Sequence, residues 1–116
     1  MNNLLFPLKT TATIKQAVIL CESLYEKLSP LGFYPALTGG LLYKGDNRKD
    51  IDIVIFRNRQ GVDSFEIIEL VAALKSCNLT NFKHYGFVTK CEYQGLQVDL
   101  FNPETKLEDN EYGDSE

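Results

Sequence analysis

Residues 37–56 read Leu-Thr-Gly-Gly-Leu-Leu-Tyr-Lys-Gly-Asp-Asn-Arg-Lys-Asp-Ile-Asp-Ile-Val-Ile-Phe, and the rest of the chain is arranged around them. The second half, Asp50 to Phe56, is rich in β-branched residues and reads as a strand. Successive strand side chains point to opposite faces, so Asp50 and Asp52 share one face and Ile51, Ile53 and Ile55 the other. Two carboxylates at the start of a buried strand are costly to desolvate unless something compensates them. Two readings stand open. A divalent cation can bind there, since hard cations such as Mg²⁺ take oxygen ligands from one or two carboxylates together with substrate phosphates. Alternatively, the pair sits at a strand edge, solvated or salt-bridged to Arg48 or Lys49. The Gly39-Gly40 pair is equally two-sided. Glycine lets backbone approach a ligand and aim N–H groups at phosphate oxygens, yet most such pairs are turns.

Working outward, 116 residues suffice for one compact domain, and a hydrophobic content of 44% is ordinary for a globular chain. No apolar run reaches about 18 residues, so no transmembrane helix and no membrane association are expected. The start, Met-Asn-Asn-Leu-Leu-Phe-Pro, lacks a basic region followed by a long apolar core, so a signal peptide is not expected. Cys21, Cys77 and Cys91 are an odd, widely spaced set with a single histidine, His84. That argues against a zinc site or disulfide framework and for a reducing, cytoplasmic location. The net charge of −4 is uneven: residues 104–116 hold six acidic residues against Lys106, leaving eleven basic and ten acidic residues in 1–103. The expected organisation is therefore a domain over 1–103 and an acidic, disordered tail over 104–116.

Helical spacing of Ile14, Ala17, Val18, Cys21, Leu24, Tyr25 and Leu28 predicts a helix. Thr13 and Gln16 form a capping box at its start, and Pro30 and Gly32 end it. Residues 33–38 read as a strand and 41–44 as one turn of helix. Residues 45–49 form a loop before the Asp-x-Asp strand. Residues 57–61 read as a solvated basic turn rather than a substrate contact. Asp63, with Glu66 three residues on, is expected to cap a second helix whose apolar face is Ile67, Ile68, Val71 and Leu74, ending near Cys77-Asn78. Two β-rich segments follow, 82–93 and 96–101, joined by a Gln94-Gly95 hairpin turn. The last one carries Asp99 between Val98 and Leu100, and Asn102-Pro103 ends it.

If the last strand lies beside the first Asp-x-Asp strand, Asp50, Asp52 and Asp99 converge on one cation site. Carboxylates holding two metals serve in-line displacement at phosphorus, where positioning and charge neutralisation carry the reaction. In this order of parts the chain resembles the minimal nucleotidyltransferases (MNT-like) of the DNA polymerase β superfamily. Their hallmark is an apolar residue, Gly-Gly or Gly-Ser, a short spacer, Asp-x-Asp on a strand, and a third carboxylate on a later strand. The parts here are Leu37-Thr38-Gly39-Gly40, residues 41–49, Asp50-Ile51-Asp52 and Val98-Asp99-Leu100, spanning roughly 13–103.

The resemblance implies an α/β (α+β) fold, a small mixed β-sheet with helices packed on one side. It implies Asp50, Asp52 and Asp99 as catalytic residues and ligands to Mg²⁺, with Mn²⁺ as an alternative, Asp99 helping to activate the attacking hydroxyl. Gly39 and Gly40 would hold the triphosphate of an NTP. The implied reaction transfers a nucleoside monophosphate to a hydroxyl of a protein, RNA or small-molecule acceptor and releases pyrophosphate. Two departures stand out. Gly40 takes the place of the serine that contacts phosphate in many small members, and Tyr43-Lys44-Gly45 replaces an Arg-Gly. Lys44 is then expected to serve the phosphate as a point charge, with Arg48 and Lys49 steering the anion or pairing with the aspartates. The helical domain by which larger members grip nucleic acid is not seen, which fits an enzyme working with a partner protein, as antitoxins that adenylylate a toxin do.

The alternative is a non-catalytic module that keeps the fold for regulation. A two-metal nuclease of the RNase H type also clusters acids, but leaves Gly39-Gly40 without a role. His84 reads as a surface or hydrogen-bonded strand residue. Among Tyr34, Tyr43, Tyr85 and Tyr93, packing is the ordinary role, and Tyr43 is the best placed to stack on a base.

Overall fold

The computed structural model describes residues 11–105, so all but Glu104 and Thr105 of the tail expected over 104–116, and residues 1–10 of the lead-in, lie outside the described residues. Helix α1 spans Ile14–Leu28 and begins with the expected capping box. The Gln16 amide donates to Thr13 Oγ1 at 3.2 Å and the Thr13 amide to Gln16 Oε1 at 2.8 Å. A carboxylate caps the same end as well: the Ile14 amide donates to Asp46 Oδ1 at 2.6 Å. The loop before the Asp-x-Asp strand is thereby tied to the start of α1, and an Ala12–Arg48 bridge reinforces the tie. A 3₁₀ turn, Ser29–Leu31, and Gly32 at φ 95° bring the chain out of the helix.

The buried face of α1 is Ala17, Leu20, Leu24 and Leu28. This is rotated from the expected face. Leu20 lies inside, whereas Ile14, Val18 and Tyr25 are exposed. The helix is apolar around more than half of its circumference, so its own pattern leaves the facing open and the sheet beneath decides it.

Five strands follow: β1 Phe33–Thr38, β2 Asp50–Arg57, β3 Leu79–Tyr85, β4 Val88–Tyr93 and β5 Leu96–Phe101. They form one sheet in the order β1-β2-β5-β4-β3. β2 and β5 run parallel, and the other neighbours are antiparallel. A mixed α+β fold is the result, as expected. Ile51, Ile53 and Ile55 of β2 and Leu96, Val98 and Leu100 of β5 enter the same core as the buried residues of α1. Their helix-facing side is the core. The opposite side of β2 carries Asp50, Asp52, Val54 and Phe56, none of them fully buried.

Three expectations need correction. Residues 63–66 are not helical, and Asp63 caps nothing. A 3₁₀ turn at Ile67–Leu70 leads into a short helix α3, Val71–Lys75. Phe65 is instead drawn into the core against Phe33, with ring centroids 4.7 Å apart. Its carbonyl accepts from Asn102 Nδ2 at 2.7 Å, a bond that takes the place of a first helical turn. Inward residues are Ile67, Leu70 and Leu74, while Ile68 is exposed.

Residues 82–93 are not one β segment either. They belong to two strands that turn at Gly86, φ 61°. Nor is Arg57 a solvated turn residue. Its Nη2 and Nε meet Glu104 Oε1 at 2.7 and 2.8 Å, and its Nη1 donates to Val62 O at 2.6 Å. This clamp holds the chain beyond β5 against the end of β2. The Gln94-Gly95 hairpin is as expected: both residues have positive φ, 53° and 81°, which suits a two-residue turn between twisted strands.

Candidate active site

The register of β2 on β5 builds the site. Asp52 is opposite Asp99 and Asp50 is opposite Gln97. Opposed residues on neighbouring strands share a face, so the three carboxylates meet on the open side of the sheet. One oxygen from each of Asp50, Asp52 and Asp99 lies within 4.8 Å of the others. Asp99 is 7% exposed, and Asp50 and Asp52 are half-buried.

Burial, the nearby Asp99 and then Asp50 raise the Asp52 carboxyl above its ordinary value, and Lys90 partly offsets them. Asp99 is held from two sides. Its Oδ1 accepts from Gln97 Nε2 at 2.9 Å and meets Lys90 Nζ at 3.3 Å. An all-oxygen donor set of three crowded carboxylates fits a hard divalent cation such as Mg²⁺ or Mn²⁺, whose charge would relieve their mutual repulsion.

The two glycines are explained by what lies against them. Helix α2, Gly39–Lys44, starts where β1 ends, and Thr38 is opposite Asp52. Gly39 has φ +75°, and a Cβ there would run into the Asp52 carboxylate. At Gly40 a Cβ would stand 3.1 Å from Arg48 Cδ and 3.3 Å from its Nε. Both positions let backbone pass directly over site side chains.

A cleft of about 540 Å³ opens beside the carboxylates, lined by Gly40, Arg48, Lys49, Asp50 and Asp52 together with Thr11 and Asn47. Arg48 Nε is buried in this wall and has no hydrogen-bond partner among the described residues. Neither Arg48 nor Lys49 pairs with an aspartate there, so both cations stand beside the carboxylates without neutralising them.

The structure thus brings together Asp50, Asp52, Asp99, Gly39, Gly40, Arg48 and Lys49. Lys44 is exposed at the far end of α2 and does not line the cleft, and Tyr43, 76% exposed, does not line it either. Lys90 and Gln97 escaped the sequence reading. The signal was present: a two-residue turn at Gln94-Gly95 pairs Tyr93 with Leu96, and counting back three pairs puts Lys90 opposite Asp99. The Cys21 and Cys91 thiols are poor nucleophiles, since burial pushes Cys21 up to about 11 and Cys91 up to about 12.

No family model matches the chain, and no curated protein matches it in sequence. Among solved structures it is similar to a cytoplasmic RNA terminal U-transferase. The TM-score is 0.53 and the identity 16%, over 78% of this chain and 27% of that one. The chain therefore spans about a quarter of that enzyme's length. At this identity the likeness establishes the fold, which is nucleotidyltransferase-like.

Proposed function

We propose that this protein is a metal-dependent nucleotidyltransferase. It would transfer a nucleoside monophosphate from an NTP to an acceptor hydroxyl on an RNA, a protein or a small molecule. The observation that carries the reading is the convergence of Asp50, Asp52 and Asp99 within 4.8 Å, directly beside Gly39, on this fold. A scaffold has no use for three crowded carboxylates on an otherwise usable sheet face, because their repulsion is unfavourable to folding.

Asp50, Asp52 and Asp99 would hold divalent cations, which neutralise phosphate charge and favour ionisation of the attacking hydroxyl. Gly39 and Gly40 admit the triphosphate close to the backbone. Arg48 and Lys49 offer it positive charge from the cleft wall. Asp99, nearest β4, accepts the proton from the hydroxyl. A cytoplasmic setting, in keeping with three free cysteines, and an antitoxin-like partnership with a second protein belong to the same reading.

The test is calorimetric titration of the full chain with each NTP, with and without Mg²⁺. The control is the doubly substituted Asp50→Asn, Asp52→Asn protein. Metal-dependent binding lost in the control is expected. A well-folded protein that takes no NTP would instead be a non-catalytic module of the same fold.

A further inference from the structure

Helix α1 carries a second apolar stripe that its own fold does not use. Its buried face is Ala17, Leu20, Leu24 and Leu28. Beside that face run Ile14, Val18, Cys21 and Tyr25, at steps of four, three and four residues. At about 3.6 residues per turn these side chains fall within roughly 60° of arc. Ile14, Val18 and Tyr25 are exposed, and Cys21 is half-buried. Alternating steps of four and three are the spacing by which one helix seats against another.

The stripe continues off the helix. Tyr25 lies against Tyr34 of β1, with ring centroids 6.1 Å apart, and Tyr34 against Phe56 at 5.6 Å. β1 is the outermost strand on this side of the sheet. Pro35 stands within it and hinders a further strand from pairing along that edge. Contact on this side therefore falls to the helix.

The flanking charges narrow what fits. Lys15, Glu22 and Glu26 border the stripe on the side away from the core, and all three are exposed. None of them forms an ion pair among the described residues. Glu22 and Glu26 are four residues apart on one helix, where like charges repel and a nearby cation would relieve them. Lys15 is two turns before Glu22, and helical side chains lean toward the N-terminus, so it leans away from both.

We infer that α1 is a dimerisation helix, pairing antiparallel with α1 of a second copy of this chain. The two-fold axis passes between the helices beside Ile19 and Leu20. Ile14 of each copy then meets Tyr25 of the other, and Val18 meets Cys21, a self-complementary contact. Lys15 of each copy comes to lie between Glu22 and Glu26 of the other and supplies the cation that both lack. A parallel pair would instead set Lys15 on Lys15 and Glu22 on Glu22. The two glutamates also disfavour a nucleic acid on this face. Because α1 covers the side of the sheet opposite the carboxylates, the pair leaves both clusters open, and the inference stands apart from the transferase reading. The contact is small, so the dimer belongs to the weak, concentration-dependent class.

The test is sedimentation equilibrium of the full chain at low salt, from micromolar to millimolar concentration. A monomer–dimer equilibrium is expected, weakened as salt is raised. Val18→Glu puts a carboxylate in the middle of the stripe and should leave only monomer. Lys15→Glu should weaken the dimer about tenfold or more, since the change occurs twice in each pair. Combining Lys15→Glu with Glu22→Lys and Glu26→Lys reverses every flanking charge and should restore the wild-type affinity. All four positions are exposed, so urea midpoints of the dilute monomers should stay close to wild type, which separates lost pairing from lost folding. A chain that stays monomeric at the highest concentration would overturn the inference. So would a dimer indifferent to Val18→Glu, which would use another face. Failure of the triple variant to recover would rule out the antiparallel pairing.

Discussion

The two faces of β2 are made by the same eight-residue strand and have opposite characters. Ile51, Ile53 and Ile55 are wholly buried under the helices, while Asp50 and Asp52 look out from the open side toward Asp99. One face is close-packed and apolar and contributes to stability. The other crowds like charges and detracts from stability. The contrast teaches that the crowded carboxylates are held against the fold's own preference, by a strand whose inner face is strong enough to tolerate them.

Substitutions on the two faces should therefore move activity and stability in opposite directions. The largest expected effect is on the outer face. Asp50→Asn or Asp52→Asn should lower nucleotide transfer by on the order of 10³-fold, with urea midpoints equal to or above wild type. A variant that transfers at the original rate would break the comparison.

On the inner face, Ile53→Ala should cost about 2–5 kcal/mol in urea unfolding, through lost burial and a residual cavity. Native protein recovered from such a variant should still bind NTP. Gly39→Ala belongs to both sides, because its φ of +75° and the Asp52 carboxylate both exclude a Cβ. It should lose stability by about 1 kcal/mol or more and lose NTP binding as well, measured by melting and calorimetry on one sample.

Protonation sharpens the same contrast. The Asp52 carboxyl is raised above 3.8 in the fold, so it ionises less readily folded than unfolded. Its contribution favours the folded state below about pH 3.8 and is lost as pH rises through the raised value. In metal-free protein with chelator, Asp52→Asn should gain on wild type over that rise and lose its advantage below it. Urea melts at a series of pH values measure this. The smallest effect is expected outside β2 itself: Thr13→Ala removes one side-chain cap of α1 and should cost about 1 kcal/mol.

Legibility of the sequence followed the range of the interactions. Thr13 and Gln16 are three residues apart, and their capping box forms as read. Gln94 and Gly95 are adjacent, and their turn forms as read. The reading failed where distant residues compete. At Phe65–Glu66 the local cap signal lost to Phe33, Asn102 and Thr105, which take the side chain, carbonyl and carboxylate that a helix start would have used. Arg57 looked like a surface residue because Glu104, its partner, is 47 positions away. The face of α1 was misjudged by part of a turn because Val18, Tyr25 and Leu20 are all apolar, and only the sheet distinguishes them.

By itself the sequence determined the Asp50–Asp52 face of a strand, the opposed isoleucine face, the Gly39-Gly40 pair and the existence of a third strand-borne carboxylate. Those follow from the two-residue period of a strand and from the local conformational freedom of glycine. Tertiary structure alone decided that β5 pairs parallel to β2 with Asp99 opposite Asp52, that Lys90 stands opposite Asp99, and that Lys44 stays outside the cleft. Register between strands far apart in the chain is set by how two buried faces fit together, and no local pattern encodes that fit.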